Sequence, residues 1–328
     1  MNILVVGSVK EYSSGEERLI TKVIEDELKK LGHTTDSFLL PYKPDPLIVL
    51  DQFMAYQGID VSAADMLICV GYPAFTLRHR NKIAYLLEDA PMFHEYWDSE
   101  YGVIADYTYS QIYFAINEIT KKNLQECKKI FCDSKLLVDD VQNRYSLNAE
   151  YLLYPIRKVT TDGKEEKKDY YVMETCLLQN ERYLEIIGEF VTTVSATLKV
   201  YVPSASKMHL ESLKRVIIDK KWDKKVELLM GNIPETILIN SKGYINTAYQ
   251  TRRVDNALLR SIQEKVLVVS LEDGGAVNEL LINQRNAFIT SIEKLSIALN
   301  KGLKFTVQGK KSVDSITSEE FVKRLVEQ

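Results

Sequence analysis

Asn2-Ile-Leu-Val-Val-Gly7 is a short and almost wholly apolar run at the start of the chain. Such a run is typical of a strand that is buried on both faces of a parallel sheet. A polar loop over 8–15 follows, and residues 16–31 then have the spacing of an amphipathic helix, with an apolar stripe made of Leu19, Val23, Ile24, Leu28 and Leu31. Gly32 and His33 end this helix, and residues 34–40 have the pattern of a second strand. These residues therefore predict the β–loop–α–β unit of an α/β fold.

The loop over 8–15 is a candidate anion site. It follows the first predicted strand, and Gly15 leads into a helix, where free backbone N–H groups and the helix dipole favour negative charge. The loop lacks the Gly-Lys-Ser/Thr ending of a Walker loop, and Gly7 and Gly15 alone do not make the three-glycine dinucleotide fingerprint. Phosphate binding and an ordinary βα turn without a ligand therefore both remain open.

Strand and helix patterns alternate along the chain in two series. In the first series, Ser134 is predicted to cap a helix over 135–145. Residues 157–169 are highly charged and almost free of apolar side chains, which predicts an interdomain linker. The second series runs to a last predicted helix over 318–327. We therefore expect an α/β protein with one Rossmann-like domain over 1–156 and another over 170–328, facing each other across a cleft that is a preferred place for a small-ligand site.

Composition argues against several other classes of protein. The chain has 328 residues, of which 45% are hydrophobic and 27% charged, so it is long enough for two domains that each have a core. Its net charge of −4 argues against a nucleic-acid binder that relies on a strong positive field. The cysteines and histidines form no metal signature, and the cysteines are expected to be buried free thiols. Neither a signal peptide nor a transmembrane segment is predicted, so we expect a cytoplasmic protein.

Four blocks in the first half carry a resemblance to a known family. They are Ser13-Ser-Gly-Glu-Glu-Arg18 with Leu31-Gly-His33, Val70-Gly-Tyr-Pro-Ala-Phe75, the segment 89–102, and the segment 127–155, which is the most specific. On these blocks the chain resembles the family 4 glycosyltransferases, in which two Rossmann-like domains face each other in the GT-B fold. The resemblance implies an acceptor domain followed by a donor domain. It also implies transfer of a sugar from a nucleotide-sugar donor to a saccharide or other hydroxyl acceptor, with no metal or other cofactor.

The second half resembles the family in outline only. The family usually carries an arginine and a nearby lysine that hold the donor diphosphate; here the arginine position falls on Leu177, and Arg182 stands for the lysine. Two glutamates of the family that contact the donor correspond to positions at or beside Thr251 and Leu259, neither of which is acidic. The glycine pair at 274 and 275 is retained. The resemblance therefore implies a GT-B fold with an altered donor site.

Arginine is locally abundant where the family's donor contacts are missing. Its guanidinium can pair with phosphate oxygens through two N–H groups, so arginines are candidates to replace those contacts. The candidates for binding the donor or its phosphates are Gly15, Arg182, Arg252, Arg253, Arg260, Gly274, Gly275 and Glu279. A solvated surface patch is the alternative for these arginines. The run Arg78-His-Arg80 is likewise either a basic patch near phosphates or plain surface.

Candidate catalytic residues lie in one segment of the first half. Glu88 and Asp89 stand where the family often has a histidine, and His94 has an ordinary pKa near neutrality, so each is a candidate base for an acceptor hydroxyl. Solvated or paired acids are the alternative. The candidates for the acceptor side are Tyr72, Glu95 and Trp97.

Two functions remain open. The first is an active glycosyltransferase, which the intact blocks of the first half favour. The second is a catalytically inactive relative that binds a carbohydrate or serves as the partner of an active glycosyltransferase, which the missing acidic pair favours. We prefer the enzyme. Both functions are compatible with a homo-oligomer and with peripheral contact to a membrane, and neither involves nucleic acid.

Overall fold

The chain folds into two compact units. In a computed structural model, the described residues are 1–10, 15–99, 103, 105–156, 168–175, 180–202, 207–307 and 316–327. One unit comprises Met1–Pro155 with Ser315–Gln328, and the other comprises Ile156–Asp314. Most of the predicted linker, the middle of the loop over 8–15, and the position of Leu177 lie outside the described residues.

The first unit is built on a six-stranded sheet with the strand order β2-β1-β3-β4-β5-β6. Every pairing is parallel, with Ile3 opposite both Thr35 and Met66. The strands are β1 (Asn2–Lys10), β2 (Thr34–Tyr42), β3 (Met66–Val70), β4 (Lys82–Leu86), β5 (Lys129–Cys132) and β6 (Glu150–Tyr151). The helices are α1 (Glu16–Lys30), α2 (Val49–Gln57), α3 (Tyr107–Gln125) and α4 (Lys135–Tyr145).

Helix α1 explains why the first strands are so apolar. It packs on β1 and β2. The successive residues Val5 and Val6 of β1, whose side chains point to opposite faces of the sheet, are both fully buried, so an apolar run is needed there. The buried side of α1 includes Ile20, Ile24 and Leu28, whereas Leu19 is 37% exposed. The predicted stripe was therefore wrong at Leu19, because the helix face turned to the sheet also includes polar residues of the first two turns. The Ser134 cap is confirmed, since its hydroxyl accepts from the N–H of Leu137 at 3.2 Å.

The second unit repeats the architecture with the strand order β12-β11-β10-β7-β8-β9, again wholly parallel. Its strands are β7 (Tyr170–Glu174), β8 (Thr197–Val202), β9 (Val226–Met230), β10 (Gly243–Asn246), β11 (Leu267–Leu271) and β12 (Ala287–Thr290). Its helices are α5 (Asn180–Thr193), α6 (Lys207–Asp219), α7 (Glu235–Ile239), α8 (Asn256–Gln263) and α9 (Leu295–Gly302). Both units are therefore Rossmann-like.

The last helix, α10 (Ser318–Val326), belongs to the first unit. Its apolar side is buried at Phe321, Val322 and Leu325. The ring of Phe321 meets the ring of Tyr85 in β4 edge to face, with 5.3 Å between centroids. The expectation that one domain spans 170–328 therefore fails for this helix, because the apolar surface that it needs is provided by α1 and β4 of the first unit.

The cysteines of the described residues are free thiols, as expected. Cys69 and Cys132 are buried and Cys127 is partly so. Burial raises the pKa of the Cys127 thiol to about 12, so this sulfur is not a reactive thiolate near neutral pH. Cys176 lies outside the described residues.

Candidate functional site

The carboxyl end of the first sheet collects buried charged side chains. Lys10 ends β1, and its ammonium group forms an ion pair with the carboxylate of Glu88, which follows β4. Because the carboxyl ends of parallel strands meet at one edge, residues far apart in sequence become neighbours here. Glu88 is buried. One of the three candidate bases therefore lies at the edge where open α/β sheets bind ligands.

Asp89 is the centre of a second cluster at this edge. Its Oδ2 accepts from the Arg144 guanidinium at 2.7 Å and from the Tyr145 hydroxyl at 2.7 Å. Both donors lie in the last turn of α4. The Asp89 side chain is only 2% exposed, so these charge-assisted bonds form in a poorly solvated place and are stronger than they would be on the surface.

His94 completes this cluster. Its Nδ1 faces the backbone oxygen of Asp89 and lies 3.4 Å from Asp89 Oδ2. Its Nε2 lies 3.1 Å from the Asn117 side-chain oxygen, whose own amide donates to the Tyr113 carbonyl at 3.0 Å. The imidazole is fully buried. Burial, the larger effect, lowers the pKa of His94, while the Asp89 carboxylate works in the opposite direction.

The structure therefore brings together the three residues that were expected to be catalytic, but in different roles. We call Asp89, His94, Asn117, Arg144 and Tyr145 the Asp89 network. Within it, both ring nitrogens of His94 face protein oxygens, and Asp89 Oδ2 accepts from two donors. These contacts position the segment after β4 and leave neither ring nitrogen of His94 turned to a substrate. Glu88 is the candidate base that lies outside the network.

The lowered pKa of His94 predicts a pH dependence of stability. The unfolded chain binds a proton at an ordinary histidine pKa of about 6.5, and the native state binds it only at lower pH. The free energy of unfolding should therefore fall below about pH 6.5, by at most about 1.4 kcal/mol per pH unit, and be unaffected by this group at higher pH. Urea denaturation between pH 5 and 7 should show a shallower slope for His94→Gln. His209→Gln is the comparison, because burial also lowers the pKa of His209, which is only partly buried. Equal slopes for wild type and His94→Gln would contradict the assignment.

The acceptor-side candidates occupy different environments. Tyr72 is fully buried, and its ring contacts those of Tyr42, Phe53 and Phe75 with centroid distances of 5.7, 5.8 and 5.5 Å. It is a core residue, so the expectation that its side chain meets an acceptor does not hold. Trp97 is partly buried against Tyr113 at 4.9 Å, and Glu95 is buried beside it in the chain. Glu95 and Trp97 lie near the Asp89 network, because they directly follow His94 in the chain.

Gly15 begins α1 in a left-handed conformation, with φ 88°. A Cβ there would meet nothing within 4 Å, so only the backbone conformation requires glycine. The first turn of α1 also carries two buried acids, Glu16 and Glu17, and Glu17 lies against Gly71. Two carboxylates beside the helix N-terminus oppose a bound phosphate, so the helix dipole alone does not make this turn an anion site.

In the second unit, Arg182 clamps the ends of two strands. Its guanidinium binds both carboxylate oxygens of Asp273, at 2.9 and 2.5 Å, beyond the end of β11. It also donates to the backbone oxygens of Thr247 and Ala248 beyond β10, at 3.2 and 3.1 Å. Arg182 is 7% exposed. The N–H groups of its guanidinium thus donate to protein oxygens, and the role of Arg182 is to position these loops rather than to bind a phosphate directly.

The loops that Arg182 joins are also linked through their backbones. We call residues 247–253 and 272–276 the paired loops. The N–H of Gln250 donates to Asp273 at 2.7 Å, and that of Ala276 donates to Thr251 at 2.7 Å. Gly275 has φ 76°, and a Cβ on it would lie 2.2 Å from the Thr251 oxygen. The glycine is therefore required for the close approach of the two backbones.

The remaining donor-site candidates divide into two groups. Arg252 and Arg253 lie half-buried in the paired loops, and the Arg252 guanidinium donates to the Gln250 carbonyl at 2.8 Å. Gly274 lies in the same loops, and Glu279 is exposed in the following turn. Arg260 is instead 3% exposed and paired with Glu235 of α7 at 2.7 Å. The expected phosphate role of Arg260 does not fit this position, because its charge is already engaged inside the unit.

Sequence reasoning missed the partners of the buried charges. Asp273 has no local signal of its own in front of the glycine pair at 274 and 275, and Arg144 lies in an ordinary amphipathic helix. Of the two non-acidic positions, Thr251 forms a backbone bridge with Gly275, and Leu259 is a core residue where a carboxylate would be buried. The acids at the carboxyl end of β11 are Glu272, Asp273 and Glu279.

Among the residues that the structure describes, no group of three His, Cys, Asp or Glu side chains is placed to hold a metal ion. The helices of that same part of the chain are each too short or too polar to cross a bilayer.

No protein-family model and no curated protein matches the chain. Solved structures match it, some of them along almost its whole length. WaaG, a glycosyltransferase involved in lipopolysaccharide biosynthesis, is 12% identical with a TM-score of 0.68, and the match covers 100% of both chains. A glycosyltransferase from Rickettsia africae is 14% identical with a TM-score of 0.60, covering 99% of this chain and 93% of that one.

A third similar structure is that of a TarM mutant from S. aureus, solved in complex with UDP among other ligands. It is 14% identical with a TM-score of 0.57, and the match covers 84% of this chain and 54% of TarM. At such low identity these matches establish the fold. The chain has the GT-B fold of these glycosyltransferases, with two Rossmann-like units, as its sequence predicts.

Proposed function

We propose that the protein is a glycosyltransferase that moves a sugar from a nucleotide-sugar donor to a hydroxyl acceptor. The observation that carries this proposal is the whole-length similarity of fold to glycosyltransferases. The paired loops support it, because a glycine-dependent loop beside half-buried arginines is suited to a diphosphate. The structure of TarM with UDP gives UDP as the first nucleotide to test.

In this proposal the second unit binds the donor. The diphosphate lies against the paired loops, and Arg252 supplies positive charge to the leaving group as the bond to the sugar breaks. Arg182 acts through Asp273 by keeping the two loops in register. Glu279, exposed beside them, accepts hydrogen bonds from donor hydroxyls. Charge-assisted bonds of this kind contribute about 1.5–3 kcal/mol each.

The first unit binds the acceptor. The acceptor oxygen forms a bond to the anomeric carbon, the bond between that carbon and the diphosphate oxygen breaks, and the hydroxyl proton passes to a base. We assign the base to Glu88, which lies outside the Asp89 network at the carboxyl edge of the sheet, where open α/β sheets bind ligands. Trp97 and Glu95, in the next segment, lie on the acceptor side. The protein needs no metal in this scheme.

Turnover tests the proposal together with the role of Gly15. Release of UDP or GDP from their sugars, with saccharide acceptors, should be measurable for the wild type. Gly15→Val and Gly32→Val make a matched pair, because both glycines have positive φ, 88° and 85°, and no heavy atom within 4 Å of an added Cβ. Each should lose about 1–2 kcal/mol of stability from backbone strain. We expect only Gly15→Val to reduce turnover, by about tenfold or more, because Gly15 lies between β1 and α1 at the carboxyl end of the sheet, where open α/β sheets bind ligands, whereas Gly32 lies at the other end of α1.

Equal turnover for the two variants would show that Gly15 is only a turn. A wild type that binds nucleotide but transfers no sugar would instead support the catalytically inactive relative, as carbohydrate binder or partner subunit.

A further inference from the structure

A basic cavity lies at the opposite end of the first sheet from the candidate site. Its volume is about 480 Å³, and its lining includes Arg78, Arg80 and Lys122. Residues 78–81 directly precede β4, and Lys122 lies in the last turn of α3, which precedes β5. The cavity is therefore at the amino end of the strands. Its volume is within the range of small-molecule sites, about 300–1,000 Å³.

Buried contacts hold the walls of this basic cavity in place. Lys82 is fully buried, and its ammonium group donates to the carbonyls of Phe75 and Leu77 and to the Glu126 carboxylate at 3.0, 3.2 and 3.0 Å. The His79 ring bridges the loop to the Ala64 carbonyl at 3.0 Å. The segment that carries the two arginines is thus fixed before any ligand binds, which reduces the entropy lost on binding.

The charges of the basic cavity do not balance. Glu126 is neutralised by Lys82, which leaves Arg78, Arg80 and Lys122. The C-termini of α2 and α3 reach the cavity at Gln57 and Asn123, and each helix end is equivalent to about half a negative charge. These ends offset one of the three cations, so about two positive charges remain. The three cations of the cavity therefore carry more positive charge than is needed to offset the two helix C-termini.

Arginine geometry adds a recognition element. Arg78 donates to the Gln57 side-chain oxygen at 3.1 Å, which orients its guanidinium and leaves other N–H groups on the same fork. Arg80, two residues along the chain, is exposed at the same cavity. A phosphate monoester carries about 1.5–2 negative charges and several acceptor oxygens, which matches both the excess charge and the donors.

We propose that the basic cavity binds the phosphate group of a small phosphorylated ligand, distinct from the nucleotide-sugar donor of the candidate site. The ligand's phosphate contacts Arg78, Arg80 and Lys122. The same chemistry is offered by a soluble phosphorylated metabolite and by the headgroup of a phosphomonoester lipid.

Calorimetry of the full chain with inorganic phosphate at low ionic strength tests this inference. Saturating UDP is present throughout, so that binding at a nucleotide site does not contribute. The variant is Arg78→Ala with Arg80→Ala. The matched control is Lys214→Ala with Arg215→Ala, which removes two exposed cations from α6 of the other unit. We expect the Kd to rise about tenfold or more in the variant and less than about twofold in the control, because only the variant loses direct charge-assisted contacts.

Vesicles of phosphatidylcholine with and without phosphatidic acid form the second arm. Binding of inorganic phosphate that depends on the two arginines supports a soluble ligand. Binding only to vesicles with phosphatidic acid, with the same dependence, supports a lipid headgroup. Failure of the wild type to bind either probe, or equal losses in the variant and the control, would overturn the inference. A nucleotide-sugar turnover that the Arg78/Arg80 variant retains would show that the two proposals are independent.

Discussion

Asp89→Ala should lower the free energy of unfolding by about 3–5 kcal/mol. The carboxylate is buried and accepts from Arg144 and Tyr145. Removing it leaves the guanidinium of Arg144, whose side chain is 22% exposed, without its counter-charge. Chemical denaturation measures the effect. Asp36→Ala is the control, because it removes an exposed carboxylate of the same unit, and it should change the free energy of unfolding by less than about 0.5 kcal/mol.

A double-mutant cycle separates the ion pair from the loss of packing. Arg144→Met in the Asp89→Ala background should be much less harmful than in the wild type, because the unpaired charge is then removed as well. Strict additivity of the two changes would show that these side chains do not act as a pair.

Gly275→Ala should be the most harmful glycine substitution in the second unit. Its positive φ alone costs about 1–2 kcal/mol for an alanine, and the Cβ would lie 2.2 Å from one backbone atom of Thr251 and 2.7 Å from another. Overpacking against backbone typically adds about 1–3 kcal/mol. We therefore expect a loss of about 2–5 kcal/mol in unfolding free energy, together with loss of nucleotide binding as the paired loops separate.

Gly231→Ala is the matched control for this prediction. Gly231 has φ 94° in the same unit, but nothing lies within 4 Å of an added Cβ. The Gly231→Ala variant should lose only the stability that backbone strain costs, about 1–2 kcal/mol, and it should keep nucleotide binding. Similar losses of unfolding free energy for the two variants would mean that the paired loops accommodate a Cβ at position 275, and the close backbone approach would then not require glycine.

Most strands and helices could be predicted because each carries its own hydrophobic period. Helix α4 begins and ends at the predicted residues, and α10 ends one residue before its predicted end. Strand β10 carries only a weak sequence signal, because it has four residues and starts with a glycine. The ring of Tyr171 requires that glycine, since a Cβ on Gly243 would lie 2.7 Å from it. The burial of β10 is imposed by neighbours that are distant in sequence.

The candidate site was less predictable for the same physical reason. Arg182 lies 91 residues from Asp273, and Arg144 lies 55 residues from Asp89. No local spacing links such pairs, so the sequence indicates that a charge is present but not what it contacts. The cations expected to bind phosphate at 182 and 260 therefore turned out to hold the protein together, while Arg252 kept a position in the paired loops.

Nucleotide binding tests the central claim most directly. Thermal unfolding and calorimetry with UDP, GDP and their sugars should show one nucleotide class that stabilises the protein, by about 2.7 kcal/mol at a concentration about 100 times its Kd. Arg252→Ala should weaken that binding by about 1.5–3 kcal/mol, whereas Arg285→Ala, which removes an exposed arginine of the same unit, should leave it unchanged. If no nucleotide or nucleotide sugar raises the melting temperature of the wild type, the proposed glycosyltransferase function is contradicted.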